Sequence, residues 1–377
     1  MNITVVGAGN MGLAMTAYMA YNNKGSITLY TEKPLPGEFS FYDVEGNMSA
    51  TTSNFTVTGS KDEAFSNADI IFCTYPAFLR QSFVKMIEKF VKPGAYIGFV
   101  PGYGGAEYAC KDIIKNGVRV FGLQRVPYVA RAQKSETLVN AGILSKKSTL
   151  YVAAIPYEFS ADISQKVGQL LDIPTVCLKE YLAITLAPSN PLLHITGVYT
   201  AFKDYAEGVF YPEEIPFYEQ WTDETSRILF DYDTEVQNIC NKLQPLDLSE
   251  VVSLPIYYES STPEAMTRKL QSIESFKAVR VPLKKTENGS IPDLNNRMFI
   301  EDFPFGVCVL KAFAIITAVD TPVIDMMLAF YKKLSGIEYI TEDNIFTGEM
   351  AKCGIPQNYG LNTINDIIDF YKTGIIK

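Results

Sequence analysis

The sequence predicts an α/β chain: an N-terminal, doubly wound parallel sheet followed by an all-α C-terminal domain. Two observations carry that prediction. Short apolar runs alternate with segments of helical spacing through the first half, and beyond about Tyr181 long apolar-periodic stretches replace them. Strands alternating with helices indicate a parallel sheet covered on both faces, whereas a sustained 3.6-residue period indicates helices packed on helices. The expected division is residues 1–181 and residues 182–377.

The β-rich runs are residues 3–6, 27–30, 70–74, 96–100, 118–123 and 150–155, each bounded by Gly, Pro, Asn or Ser. Residues 11–21, 78–90 and 105–114 have helical spacing between them. Residues 53–59 read as an extra strand or hairpin arm near the sheet edge, and residues 160–171 as a closing helix. In the second half, helices are expected at residues 186–205, 221–243, 266–273, 306–318, 324–334 and 364–371. Residues 284–292 form a polar loop.

Composition narrows the function classes. A chain of 377 residues is too long for one ordinary domain. Its 47% hydrophobic and 20% charged residues suit a globular protein with a sizeable core. The net charge of −9 speaks against a nucleic-acid surface. The first residues run straight into a glycine loop, so no signal peptide is expected. No apolar stretch approaches the ~18–20 residues that span a bilayer. Six scattered cysteines without a CxxC pair, together with one histidine, make a zinc site unexpected. Free thiols point to a reducing compartment, and the expected location is cytoplasmic, with no nucleic-acid or membrane partner. The oligomeric state stays open, a homodimer being one option.

Val5-Val-Gly-Ala-Gly-Asn-Met-Gly12 sets Gly7, Gly9 and Gly12 in GxGxxG spacing, with a strand before and a helix after. That is the Rossmann-type context in which glycines serve a tight turn, a close approach to a pyrophosphate and close helix–strand packing. The candidate cofactor residues are Gly7, Ala8, Gly9, Asn10, Met11 and Gly12. Thr31 stands where an acidic residue would normally end the second strand, with Glu32 one step on. Glu32 suits a ribose diol, whereas Thr31 and Lys33 suit a 2′-phosphate; as plain turn charges they would do neither. NAD and NADP both remain open, and the reading leans to NAD. Ligands of such sheets sit beyond the carboxyl ends of the strands. That adds Thr74-Tyr-Pro-Ala-Phe78, with Pro76, and the Pro101–Glu107 loop, with Tyr103.

The single histidine, His194, lies in Ser189-Asn-Pro-Leu-Leu-His-Ile-Thr-Gly197. Imidazole alone among side chains has an ordinary pKa, about 6.5, that suits proton transfer near neutrality. Taken alone, a histidine on an apolar helix is more often a packed side chain.

Several segments together resemble the octopine/nopaline (opine) dehydrogenase family. They are VVGAGNMG at 5–12, ADIIFCTYPAF at 68–78, FVPGYGG at 99–105, VPYVAR at 126–131, NPLLHITG at 190–197 and NRMFIEDFPFG at 296–306. They occur in the family's order and cover most of the chain. The resemblance implies NAD(P)H-dependent joining of an amino acid to a 2-keto acid, usually pyruvate. It also implies a helical second domain like the C-terminal domain of 6-phosphogluconate dehydrogenase. The family's catalytic His falls on His194 and its partner carboxylate on Asp302. Its substrate-binding Arg falls on Arg297, and the Asn one turn before the His on Asn190. Tyr103 departs from the family, many of whose members carry an amide there, so it is a candidate substrate contact of its own.

The residues support that chemistry independently. An imidazole that donates protons needs a carboxylate to set its tautomer, which Asp302 can supply; it can equally cap the helix that follows. Asn190 shares a helix face with His194, or merely caps the helix beside Pro191. Arg297 offers a bidentate fork to a carboxylate, or an ion pair to Glu301. Arg131 is a second anion-binding candidate, with a structural salt bridge as its alternative. Tyr199, Tyr211, Tyr218, Tyr257 and Tyr258 can line an amino-acid pocket or fill the core. Two rival functions stay open: a ketopantoate-reductase-like keto acid reductase, which relies on a lysine missing from residues 190–194, and a non-catalytic NAD(P)-binding redox sensor.

Overall fold

The computed structural model describes residues 1–42, 48–187 and 189–376. Its contacts divide the chain into two units, Met1–Thr185 with Asn365–Lys377, and Leu186–Ile364. The crossing thus falls four residues beyond the expected boundary. The C-terminal helix, Ile364–Thr373, returns to the first unit instead of closing the second.

Among the described residues, twelve strands lie in the first unit: β1 Asn2–Val6, β2 Ser26–Tyr30, β3 Phe39–Tyr42, β4 Met48–Thr52, β5 Phe55–Thr58, β6 Ile70–Cys73, β7 Tyr96–Phe99, β8 Arg119–Leu123, β9 Tyr128–Lys134, β10 Val139–Lys146, β11 Leu150–Ile155 and β12 Thr175–Cys177. The main sheet runs β5-β2-β1-β6-β7-β8 with every pair parallel. β11 adds antiparallel to β8, and β12 parallel to β11. β1 and β6 are hydrogen-bonded neighbours, though the chain visits β2 and β5 between them. The strand order reverses there, which is where doubly wound sheets bind ligands. The β5 segment is the third member of this parallel series rather than a hairpin arm.

A second sheet, β4-β3-β10-β9, is a feature that residue patterning left unread. It packs, as the main sheet does, on the helix Asn10–Tyr21. That helix is buried at every position from Gly12 to Ala20. A helix apolar on all faces must be covered on all faces, and here two sheets cover it.

In the second unit, the helices Ser189–Phe202, Cys308–Thr317 and Pro322–Ser335 pack on the long helix Asp223–Lys242. Buried Glu235 accepts hydrogen bonds from the amides of Val323 (2.6 Å) and Ile324 (2.9 Å). An internal acid thereby satisfies two of the orphan donors of the Pro322–Ser335 helix. The expected polar loop at 284–292 is instead a hairpin, β13 Leu283–Thr286 with β14 Gly289–Pro292. The second unit is therefore helical with one hairpin, not wholly α.

Candidate active site

The site residues fall into two groups, one in each unit. In the first unit, Gly7 turns the chain out of β1 at φ +101°, a conformation L side chains rarely adopt. Its amide donates to Tyr30 O at 3.1 Å. A Cβ at Gly12 would lie 1.8 Å from Gly7 O, so only glycine lets helix and turn approach this closely. Around Gly9 the same construction meets nothing within 4 Å. Gly9 is also the N-cap of Asn10–Tyr21, and, having no side chain, it makes no cap bond to the first-turn amides. An open, uncapped helix N-terminus fits a pyrophosphate.

The neighbours of this loop brace it. Thr74 Oγ1 donates to Val6 O at 2.8 Å, and the Tyr75 ring stands against Gly7. Asn10 Oδ1 accepts from the Ala132 amide at 3.1 Å, and Lys134 Nζ donates to Ala8 O. Met11 is half-buried beside them, and Pro76 is the N-cap of the helix Ala77–Ile87. At the end of β2, Thr31 is buried, and its hydroxyl accepts from the Lys33 amide at 3.2 Å. Glu32 is exposed next to it. Burial pushes the Tyr75 phenol up to about 12, and the negative charges of Cys73, Tyr30 and Glu32 add to it. The glycine loop and the ends of β2 and β6 thus fit an NAD(P) adenosine diphosphate.

Tyr103 is buried in the loop after β7. The fully buried Arg80 donates to Tyr103 O at 2.5 Å and to Tyr75 O at 3.0 Å, tying that loop to the one after β6. Arg80 and Lys134 escaped the sequence reading. A lysine 126 positions beyond Ala8 has no local signature, and an arginine on an amphipathic helix looks like a surface charge.

In the second unit, His194 Nδ1 and Asp302 Oδ2 are 2.8 Å apart. The two residues are 108 positions apart in sequence, and glycine brings their elements together. A Cβ on Gly306 would sit 2.5 Å from Pro191, so Gly306 admits the first turn of the His194 helix. Asp302 is the N-cap of a π-helical turn, Phe303–Val307, which holds Pro304. Proline lacks the amide that a regular α-turn would use there, and such turns recur at functional sites. The His194 side chain is 20% exposed and that of Asp302 6%. Phe217 meets the imidazole edge to face at 6.2 Å. Burial pushes the Asp302 carboxyl up, and the bond to His194 opposes it. A carboxylate on Nδ1 fixes that nitrogen as the protonated one and leaves Nε2 for a substrate.

Asn190 is exposed one turn before His194. Arg297 begins a short helix, Arg297–Ile300, that Asn296 caps through the Met298 amide at 3.1 Å. Its Nε donates to Glu301 Oε2 at 2.6 Å, and its Nη2 donates to the same oxygen. The ion-pair alternative is therefore realised, with the Arg297 side chain 67% exposed and that of Glu301 3%. Arg131 is exposed on β9, its guanidinium on Ala130 O at 3.2 Å. Tyr218 is core, stacked on Phe276 at 4.2 Å, and Tyr199 and Tyr211 pack on Phe330 and Phe202. Tyr257 and Tyr258 pack on each other at 5.0 Å.

Residues 177–335 match the family model described as NAD/NADP octopine/nopaline dehydrogenase, alpha-helical domain. The chain is similar to the tauropine dehydrogenase of Arabella iricolor, with 27% identity over 334 residues, 83% of this chain and 82% of that protein. It is similar to the octopine dehydrogenase of Pecten maximus, with 25% identity over 327 residues, 83% and 81% of the two chains. A solved octopine dehydrogenase with NADH and L-arginine shares the fold, with a TM-score of 0.85 at 22% identity over 97% of each chain. The motif order, the helical-domain match and these relatives agree: residues 177–335 form an octopine/nopaline dehydrogenase helical domain, and over most of its length the chain is similar to opine dehydrogenases, NAD(P)-dependent oxidoreductases acting on CH–NH bonds.

Proposed function

We propose that this protein joins the amine of an amino acid to a 2-keto acid, with pyruvate the expected acid, and yields an N-(carboxyalkyl) amino acid. The observation that carries the proposal is the His194–Asp302 contact of 2.8 Å. Amine and ketone condense to an imine with loss of water, and that loss needs a proton on the departing hydroxyl. His194 gives that proton from Nε2 and recovers it in the reverse direction. Asp302 holds the Nδ1 proton in place and stabilises the imidazolium. Arg297, whose guanidinium Glu301 holds through Nε and Nη2, takes the carboxylate that both substrates carry. Asn190 and Tyr103 are further substrate contacts. Gly7, Ala8, Gly9, Asn10, Met11 and Gly12 would hold the cofactor pyrophosphate, with Thr31, Glu32 and Pro76 near the nucleoside. Reduced NAD(P), when bound, supplies the hydride for the imine carbon.

Neither rival is favoured. A keto acid reductase of the ketopantoate type needs a lysine where residues 190–194 have none. A redox sensor without turnover gives no reason for a carboxylate to orient the only imidazole. Purified protein mixed with pyruvate, NADH or NADPH and a panel of amino acids and taurine tests the reading. Absorbance of the reduced cofactor should fall only when a keto acid and an amine are both present. Consumption with keto acid alone would favour the reductase, and no consumption with any pair would end the proposal. His194→Ala should cut turnover by about 10²–10⁴-fold with cofactor affinity kept within a few-fold.

A further inference from the structure

Glu107 stands outside the chemistry above. Gly104 and Gly105, at φ +97° and +75°, turn the chain after β7 into the short helix Ala106–Ala109, of which Glu107 is the second residue. Glu107 is 0% exposed. Its Oε1 accepts from Thr185 Oγ1 at 2.5 Å and from the Tyr371 hydroxyl at 2.9 Å. Its Oε2 has no hydrogen-bond partner among the described residues. Tyr371 also bonds the hydroxyl of Tyr108 at 2.7 Å.

The partners are notable for where the chain goes next. Thr185 is the last residue of the first unit before the chain crosses to the second. Tyr371 lies on the helix at whose start the chain returns. One buried carboxylate therefore fastens both crossings on their first-unit side, and fastens them to the loop after β7. We propose that Glu107 is a positioning residue: a buried latch through which the two connections between the units and the 102–105 loop are held as one network.

Such a latch has a pH signature. The groups that favour the charged form of Glu107 are the Thr185 hydroxyl, its own backbone amide, the Tyr371 hydroxyl and the guanidinium of Arg80. Tyr181 and Cys110 also lie within range of its charge. Burial outweighs the favourable contacts and pushes the carboxyl up to about 7. Exposure to water would return it towards the ordinary value of about 4.3. Opening the network then releases a proton between those two values, so opening grows easier as pH rises through that window.

Hydrogen exchange of the full chain without cofactor, read by mass spectrometry at pH 5 and pH 8 and corrected for intrinsic rates, tests the proposal. Peptides covering residues 101–110, 182–187 and 364–373 should lose protection together at pH 8, by about tenfold or more. Glu107→Gln keeps the shape without the titration and should exchange alike at both pH values. Tyr371→Phe, which removes the bonds to Glu107 and to Tyr108, should loosen 101–110 and 364–373 together and keep the pH dependence. His194→Ala should leave the whole pattern in place, which separates this test from that of the chemistry. Independent exchange of the three segments, or a pH dependence that survives in Glu107→Gln, would overturn the latch.

Discussion

Each unit holds a buried carboxylate that burial pushes upward, Glu107 in the first and Asp302 in the second. Their partners differ. Asp302 bonds an imidazole whose side chain is 20% exposed, whereas Glu107 bonds the hydroxyls of Thr185 and Tyr371. Tyr371 is fully buried, and burial holds its phenol well above the usual range. The imidazole can pass a proton outward. On the two proposals above, a buried acid serves as a chemical tool beside a partly exposed base and as a mechanical tie beside buried hydroxyls.

The sharpest way to break that distinction is Asp302→Asn. An amide keeps the shape and loses the charge that orients Nδ1–H. Turnover should fall by roughly 10³–10⁴-fold, the scale seen when a triad aspartate is so replaced, with little change in cofactor affinity. A loss under tenfold would make Asp302 a helix cap and nothing more.

The glycine loop offers a second contrast within the first unit. A Cβ at Gly12 meets Gly7 O at 1.8 Å, whereas at Gly9 it meets open space. Gly12→Ala must push helix from strand, and overpacking of that kind costs about 1–3 kcal/mol. It should lower the melting temperature and weaken cofactor binding together. Gly9→Ala should leave melting unchanged and weaken only cofactor binding, because its side chain enters the space meant for phosphate. Equal melting of the two variants would show that the loop relaxes.

The same contrast explains what was legible beforehand. The Gly7–Gly12 motif and the runs that become β1, β2, β6, β7, β8 and β11 are local: each is a turn, a run or a period readable within about thirty residues, though nothing local told that β11 would run antiparallel. The second sheet was hidden because its alternation is short. Phe39 and Phe41, and Val139, Ala141 and Ile143, are buried at every second position, but the strands are broken by polar turns. The clue lay elsewhere, in a first helix too apolar to be covered on one side only. The His194–Asp302 pair was readable through motif order, but not its cause, Gly306 against Pro191, since close approach leaves no period. Glu107 was unreadable, because an acid inside a glycine loop looks like solvent-facing turn chemistry until Thr185 and Tyr371 are placed on it.

The smallest expected effect concerns cofactor choice, where the end of β2 and the loop after β6 must be weighed together. Thr31 accepts a bond from the Lys33 amide and is buried, and it is the burial that leaves it poorly placed to meet a 2′-phosphate. Glu32 is exposed, and its charge reaches both Tyr30 and Tyr75, the latter against Gly7. A carboxylate that near the glycine loop accepts bonds from a ribose diol and repels a phosphate. Glu32→Gln should therefore weaken NADH binding and strengthen NADPH binding, shifting the ratio of their dissociation constants by about tenfold, or ~1.4 kcal/mol. Titration of both cofactors by nicotinamide fluorescence measures that ratio. An unchanged ratio would place Glu32 among ordinary turn charges and hand the choice to Lys33.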